Sequence, residues 1–133
     1  MPPLTPIIIG VGDIKNRSTH LQDAKEPLTL IHEAILVAIQ DANAPNTSKL
    51  QAAIDSIDVV KTWTWPYPDL PGSLAQKLHV DAKHRFYSEH GGDKPGKLVD
   101  GAARRIAKGE CEVAVVAGGE ALASCEWDFY LTI

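Results

Sequence analysis

Segments with strand composition alternate with segments of helical periodicity along this chain, and this alternation constrains its fold more than any other feature. Strands are predicted at residues 54–61, 84–88 and 112–119, where β-branched or aromatic residues cluster. Apolar residues at helical spacing predict helices at residues 28–43, 72–80 and 95–109. Strands that alternate with helices are typical of an α/β domain with a layered αβα arrangement and a mixed, mainly parallel sheet.

The opening segment, residues 6–13, reads PIIIGVGD. Three consecutive isoleucines would place apolar side chains on both faces of a strand, so we expect a fully buried strand here. Gly10 and Gly12 indicate a close backbone approach or a turn at its end.

Composition excludes several classes of partner. The formal net charge of -4 provides no basic surface, so nucleic acid is not an expected partner. No apolar run approaches the roughly 20 residues that a membrane-spanning helix needs, so we expect no membrane association. The adjacent Arg104 and Arg105 are predicted to lie on a solvated helix face.

Cysteines and histidines do not form a recognisable metal or disulfide pattern. Cys111 and Cys125 match neither a disulfide framework nor a zinc motif, which favours a reducing compartment and inert thiols. The histidines are not paired at helical spacing, so no metal site is predicted.

The first candidate binding site is the turn formed by His90, Gly91, Gly92 and Asp93, between a predicted strand and a predicted helix. Such a junction presents free backbone N–H groups and the positive end of a helix dipole, where enzymes place anions and nucleophiles. The residues alone favour a simpler interpretation, a plain turn in which Asp93 caps the helix.

A second candidate is the pair Gly118 and Gly119, which ends the last predicted strand. Two glycines there allow a ligand or a neighbouring backbone to approach closely, or they simply form a turn. Glu120 follows, either hydrogen-bonded or, more commonly for glutamate, exposed.

Trp63, Trp65 and Tyr67 lie in a loop stiffened by prolines. Three aromatic residues so close together are costly to leave in water. They could line an apolar acyl pocket or a subunit interface, or fold back over the core of the domain.

Residues 6–124 resemble the N-terminal half of thiolases and thiolase-like acyltransferases. The segments similar to that family are PIIIGVGD, EPLTLIHEAILVAIQDANA, LQAAIDSIDVV and, most specifically, LVDGAARRIAKGECEVAVVAGGEALAS. The resemblance implies a thiolase-like N-terminal fold, a usually homodimeric assembly, and a place in lipid metabolism in the cytoplasm or peroxisome. We expect residues 125–133 to be an irregular tail and a truncated end.

Family chemistry, as the resemblance implies it, uses a cysteine at the N-terminus of the central helix to accept an acyl group from a coenzyme A thioester. The corresponding position lies at or next to Gly92, and the turn at 90–93 contains no cysteine. A covalent acyl intermediate cannot form on glycine. We therefore assign no catalytic residue and no covalently bound cofactor, and retain a coenzyme A thioester as a possible substrate.

Two functional interpretations follow from the resemblance. In the first, the chain is the N-terminal part of a thiolase-like acyltransferase-family protein that handles acyl-CoA thioesters, inactive as this chain. In the second, it is a non-catalytic acyl-CoA-binding or assembly domain of the same fold. Under either one, the candidate binding residues are His90, Gly91, Gly92, Asp93, Gly118 and Gly119.

Overall fold

The computed structural model of the chain describes residues 2–121. Its helices are α1 (Pro27–Asp41), α2 (Thr47–Ala52), α3 (Leu70–Leu78) and α4 (Lys94–Ala107), and its strands are β1 (Ile54–Val59), β2 (His84–Tyr87) and β3 (Val113–Ala117). No helix within this range is long and apolar enough to cross a membrane. The predicted tail at 125–133, with Cys125, lies outside the described residues.

The strands form one parallel sheet in the order β2-β1-β3, with β1 in the centre. Ile57 of β1 faces Arg85 on one side and Val115 on the other. Helices α1 and α3 pack together over one face of the sheet, and α4 packs against β1 and β3. The predicted α/β class is therefore confirmed, with a sheet that is parallel throughout the described residues.

The hydrophobic core lies between the sheet and the pair α1 and α3. Ile57 and Val59 of β1 point into it as alternate residues, since successive side chains of a strand face opposite sides. Ile54 also joins the core, ahead of an irregularity in the strand register between Ile54 and Ser56. Its members are Ile31, Ile35 and Ile39 of α1, Ile54, Ile57 and Val59 of β1, Leu70, Leu74, Ala75 and Leu78 of α3, and Ala82. The residues of β3 are only half-buried, because β3 lies at the edge of the sheet in the described residues.

Helix boundaries follow local signals in the sequence. Pro27 occupies the first turn of α1, where its missing N–H costs nothing. The carboxylate of Asp69 accepts a hydrogen bond from the Gly72 N–H at 3.1 Å and caps α3. Asp93 holds the capping position of α4, but its side chain makes no capping hydrogen bond. It pairs instead with Lys97 Nζ at 2.7 Å, and that interaction lowers the pKa of the Asp93 carboxyl.

The predicted buried strand at residues 6–13 is wrong. The segment has no strand assignment, and 80% of the Ile8 surface is exposed. It lies along α1 instead: the Val11 N–H donates to the Asp41 carboxylate at 2.8 Å. The predicted close approach is confirmed, because a Cβ on Gly12 would lie 2.1 Å from the Ala34 carbonyl oxygen. The isoleucines remain exposed because none of the described strands pairs with this segment.

The predicted solvated face of α4 is right for Arg104 and wrong for Arg105. Arg104 is exposed and pairs with Asp100 four residues earlier, at 2.8 Å. Arg105 is largely buried, and its guanidinium donates to the carboxylate of Asp58. Asp58 lies on the central strand with only 1% of its surface exposed, so the buried carboxylate draws the arginine inward.

Candidate functional site

The loops that follow the three strands meet at the carboxyl edge of the sheet. In open parallel α/β sheets, ligands bind in the crevice outside this edge. Both predicted glycine motifs lie here, since one follows β2 and the other follows β3. The loop after β1 carries the aromatic residues and contacts both motifs.

A cavity of about 530 Å³ opens at this edge, and we call it the aromatic cleft. Its volume lies within the range of roughly 300–1,000 Å³ that is usual for small-molecule sites. It is lined by Lys61, Thr62, Trp63, Thr64, Trp65, Pro66, Tyr67, Pro68, Tyr87 and His90. Of the three interpretations of the aromatic loop, the one in which it lines a pocket matches this arrangement.

Trp63 connects the aromatic loop to the predicted site. Its ring stacks on the imidazole of His90, with the ring centroids 3.8 Å apart and the planes inclined by 24°. Trp63 is nevertheless 74% exposed, so one face of the indole remains open to solvent. Of the turn at 90–93, His90 lines the cleft and the two glycines do not.

Glu120 holds the same part of the loop from the side of β3. Its carboxylate accepts hydrogen bonds from the backbone N–H groups of Trp63 and Thr64, the latter at 3.3 Å. The Thr64 hydroxyl donates to the same carboxylate at 2.6 Å. Glu120 is exposed, yet both of its carboxylate oxygens accept hydrogen bonds. The neighbouring residues in the sequence did not predict these hydrogen bonds. Glu120 thereby links the end of β3 to the loop that stacks on His90.

The two glycine motifs meet different surroundings. A Cβ on Gly92 would find no atom within 4 Å, so the tip of α4 borders open space. A Cβ on Gly119 would lie 2.8 Å from Ile31 Cγ1, so glycine there allows α1 to pack closely. Gly118 and Gly119 do not line the cleft, but Glu120, which follows them, bonds to the loop that lines it.

Tyr67 anchors the base of the loop on α1. Its hydroxyl oxygen accepts a hydrogen bond from the Leu28 N–H at 3.1 Å. Burial raises the pKa of Tyr67 to about 12, against the opposing effect of that hydrogen bond. The phenol therefore keeps its proton in the folded protein when an exposed tyrosine would lose it.

Replacement of Tyr67 by phenylalanine should remove a pH dependence of stability in alkaline solution. The raised pKa stabilises the folded state fully below the unfolded value of about 10, and this contribution is lost as the pH rises towards about 12. Urea unfolding measured across this interval should show a steeper fall for the parent protein than for Tyr67→Phe. Tyr87→Phe is the control, and an equal flattening in both variants would contradict the assignment.

Over residues 2–121, no group of three or more His, Cys, Asp or Glu side chains is arranged to hold a metal ion. Cys111 is buried, 5% exposed, and lies just before β3 rather than in the aromatic cleft. Burial raises the pKa of its thiol, and the nearby Asp55 carboxylate acts in the same direction. A thiol in this setting is a poor nucleophile.

Comparison with known proteins gives a match to solved structures. The chain is similar to the crystal structure of a monomeric SCP2-thiolase-like protein type 1 from Mycobacterium smegmatis, at 28% sequence identity and a TM-score of 0.72. The match covers 87% of this chain and 23% of that one, so this chain spans about a quarter of the length of that protein. No protein-family model and no curated protein matches. The fold is thus thiolase-like, as the sequence resemblance implies.

Proposed function

We propose that this thiolase-like chain is the N-terminal part of a protein that handles acyl-CoA thioesters, and that by itself it binds them without covalent catalysis. The observation that carries the proposal is Gly92 at the tip of α4. It lies two residues from His90 and the aromatic cleft, at the helix N-terminus where the family's nucleophile is expected. The space that a nucleophilic side chain would occupy is open there.

The surroundings fit a thioester better than a more polar ligand. The faces of Trp63, Trp65 and Tyr67 offer apolar surface for an acyl chain. The N-terminus of α4 offers the partial positive charge of the helix dipole for the thioester carbonyl oxygen. The N–H groups of Lys94 and Lys97 are already bonded to Gly91 and Asp93, and Pro95 has none. Cys111, the one cysteine within residues 2–121, does not line the cleft.

Acetyl-CoA and a longer acyl-CoA should bind the purified chain in calorimetry and leave its intact mass unchanged. Trp63→Ala should weaken the binding by about tenfold, or about 1.4 kcal/mol, because the indole face is lost. Leu21→Ala, an exposed apolar residue outside the cleft, is the control. A stable acyl adduct on the unmodified protein would refute the non-covalent part of the proposal.

Two cysteine variants locate the site on α4. A Cβ meets no atom within 4 Å at either Gly92 or Gly96, so both positions tolerate the substitution sterically. Because a helix N-terminus lowers the pKa of a thiol, the Gly92→Cys thiolate should take the acetyl group of acetyl-CoA as a new thioester and release coenzyme A as its thiol. Gly96→Cys, about one turn along the helix, should remain unmodified. Equal labelling of both variants would contradict a thioester held at the tip of α4.

An assembly role is the second candidate, and the exposed apolar segment at the N-terminus favours it. Ile7 is 72% exposed and Ile8 is 80% exposed. Apolar side chains this exposed and this close together are common where a protein meets a partner. Absence of acyl-CoA binding, together with a homodimer in light scattering, would favour this role over the first.

A further inference from the structure

A buried charged cluster joins three elements of the fold on the α4 side of the sheet. Asp58 of β1 has a side chain that is 2% exposed. Its Oδ1 lies 3.0 Å from Nε2 of His84 on β2, and its Oδ2 accepts a hydrogen bond from Arg105 of α4. Both carboxylate oxygens are therefore engaged within the protein.

A second cavity, of about 390 Å³, opens beside this cluster. The cluster residues line it, together with Ser88, Lys94 and Lys97. Lys94, Lys97 and Arg105 share one face of α4 at helical spacing. Gly101 lies on the same face and has no side chain to fill the space between the lysines and the arginine.

The wall of this cavity contains a hydrogen-bond donor that lacks an acceptor. Arg105 Nε is buried and makes no hydrogen bond with the described residues. A buried donor without an acceptor is unfavourable, and a ligand oxygen would satisfy it. Lys94 adds a further charged donor at the cavity wall.

The charges at this cavity do not suit a metal cation, because most of them are already paired within the protein. Three cationic side chains, Lys94, Lys97 and Arg105, face two carboxylates, Asp58 and Glu89. Asp58 is already neutralised by Arg105, while Lys97 shares its charge with Asp93. Since both oxygens of Asp58 are occupied, a metal cation would find only Glu89 as a carboxylate ligand in the cavity.

We propose that this second cavity is a binding site for a small phosphate-bearing molecule, separate from the aromatic cleft. The end of β2 and the residues after it divide the two cavities: Tyr87 and His90 line the cleft, whereas Phe86 and Ser88 line the second cavity. Arginine and lysine are the residues that bind phosphate oxygens in proteins, through charged hydrogen bonds. The proposal does not depend on acyl-CoA binding at the cleft.

Nuclear magnetic resonance of protein labelled in histidine, titrated with inorganic phosphate, tests this site. The His84 ring resonances should shift saturably at millimolar phosphate, while those of His90 in the cleft should not. Lys94→Ala combined with Lys97→Ala should weaken the apparent affinity at least about tenfold through the loss of two charged donors. Lys49→Ala combined with Lys77→Ala removes two exposed lysines from α2 and α3, and should leave the titration unchanged.

Coenzyme A added to the phosphate-bound protein identifies the source of the phosphate group. Displacement of phosphate at His84 would place a phosphate of coenzyme A in this cavity, and retention would indicate a separate phosphorylated metabolite. Either result supports the site. An absence of saturable shifts at His84, or an equal loss of affinity in the two lysine double variants, would overturn it.

Discussion

Replacement of Asp58 by alanine is expected to lower the free energy of unfolding by about 3–5 kcal/mol, the usual cost of removing one partner of a buried ion pair. Without the carboxylate, Arg105 keeps its charge in a largely buried position and loses its acceptor. His84 of β2 loses its partner at the same time. Urea denaturation followed by circular dichroism measures the change.

Two comparisons separate this effect from the loss of any surface charge. Asp100→Ala breaks the exposed Asp100–Arg104 pair on α4, the helix that also carries Arg105. It should lower the free energy of unfolding by only about 0.3–0.5 kcal/mol. Asp58→Ala combined with Arg105→Met should cost less than the sum of the single substitutions, since no uncompensated charge then remains. Additive costs, or an Asp58→Ala cost as small as that of Asp100→Ala, would contradict a coupled buried pair.

Replacement of Gly119 by valine is expected to destabilise the fold by about 1–3 kcal/mol through overpacking. A Cβ at this position would lie 2.8 Å from Cγ1 of Ile31, which is 1% exposed and cannot move without disturbing the core. The backbone after β3 must then shift, and Glu120 shifts with it. We therefore expect a weaker hold on Trp63 and Thr64, visible as a change in tryptophan fluorescence.

A second glycine substitution provides a control of opposite sign. Gly96 lies inside α4, and a Cβ there meets no atom within 4 Å. Gly96→Ala should stabilise the protein by about 0.5–1 kcal/mol, because alanine loses less conformational freedom in a helix. Equal effects of Gly119→Val and Gly96→Ala in urea denaturation would show that contact with Ile31 does not determine the choice of glycine at 119.

The arrangement of the loops explains why the candidate site was only partly visible in the sequence. The turn at 90–93 was recognisable because glycines between a strand and a helix are a local signal. The contribution of Glu120 was not recognisable, because its partners Trp63 and Thr64 lie more than fifty residues earlier in the chain. No local sequence pattern predicts a hydrogen bond between residues so far apart in the chain.

Local sequence determined the elements of this protein. Helical spacing of apolar residues predicted α1 and α4 to within about two residues, since that spacing follows from the helix period itself. β-branched residues predicted β1 and β3 for a similar reason, because their stiff side chains suit a pleated backbone. Their alternation was enough to indicate a parallel α/β sheet.

Only the tertiary structure decided which residues meet. The isoleucines of residues 6–13 have the composition of a buried strand, yet burial requires a neighbouring strand, and they lie exposed along α1. Arg105 has the pattern of a surface residue, yet the carboxylate of Asp58 draws it inward. Backbone sterics and side-chain spacing act within a few residues, whereas pairing and charge burial depend on sheet order and register. Alternating strands and helices therefore determined the layers, and the packing of those layers determined the two cavities.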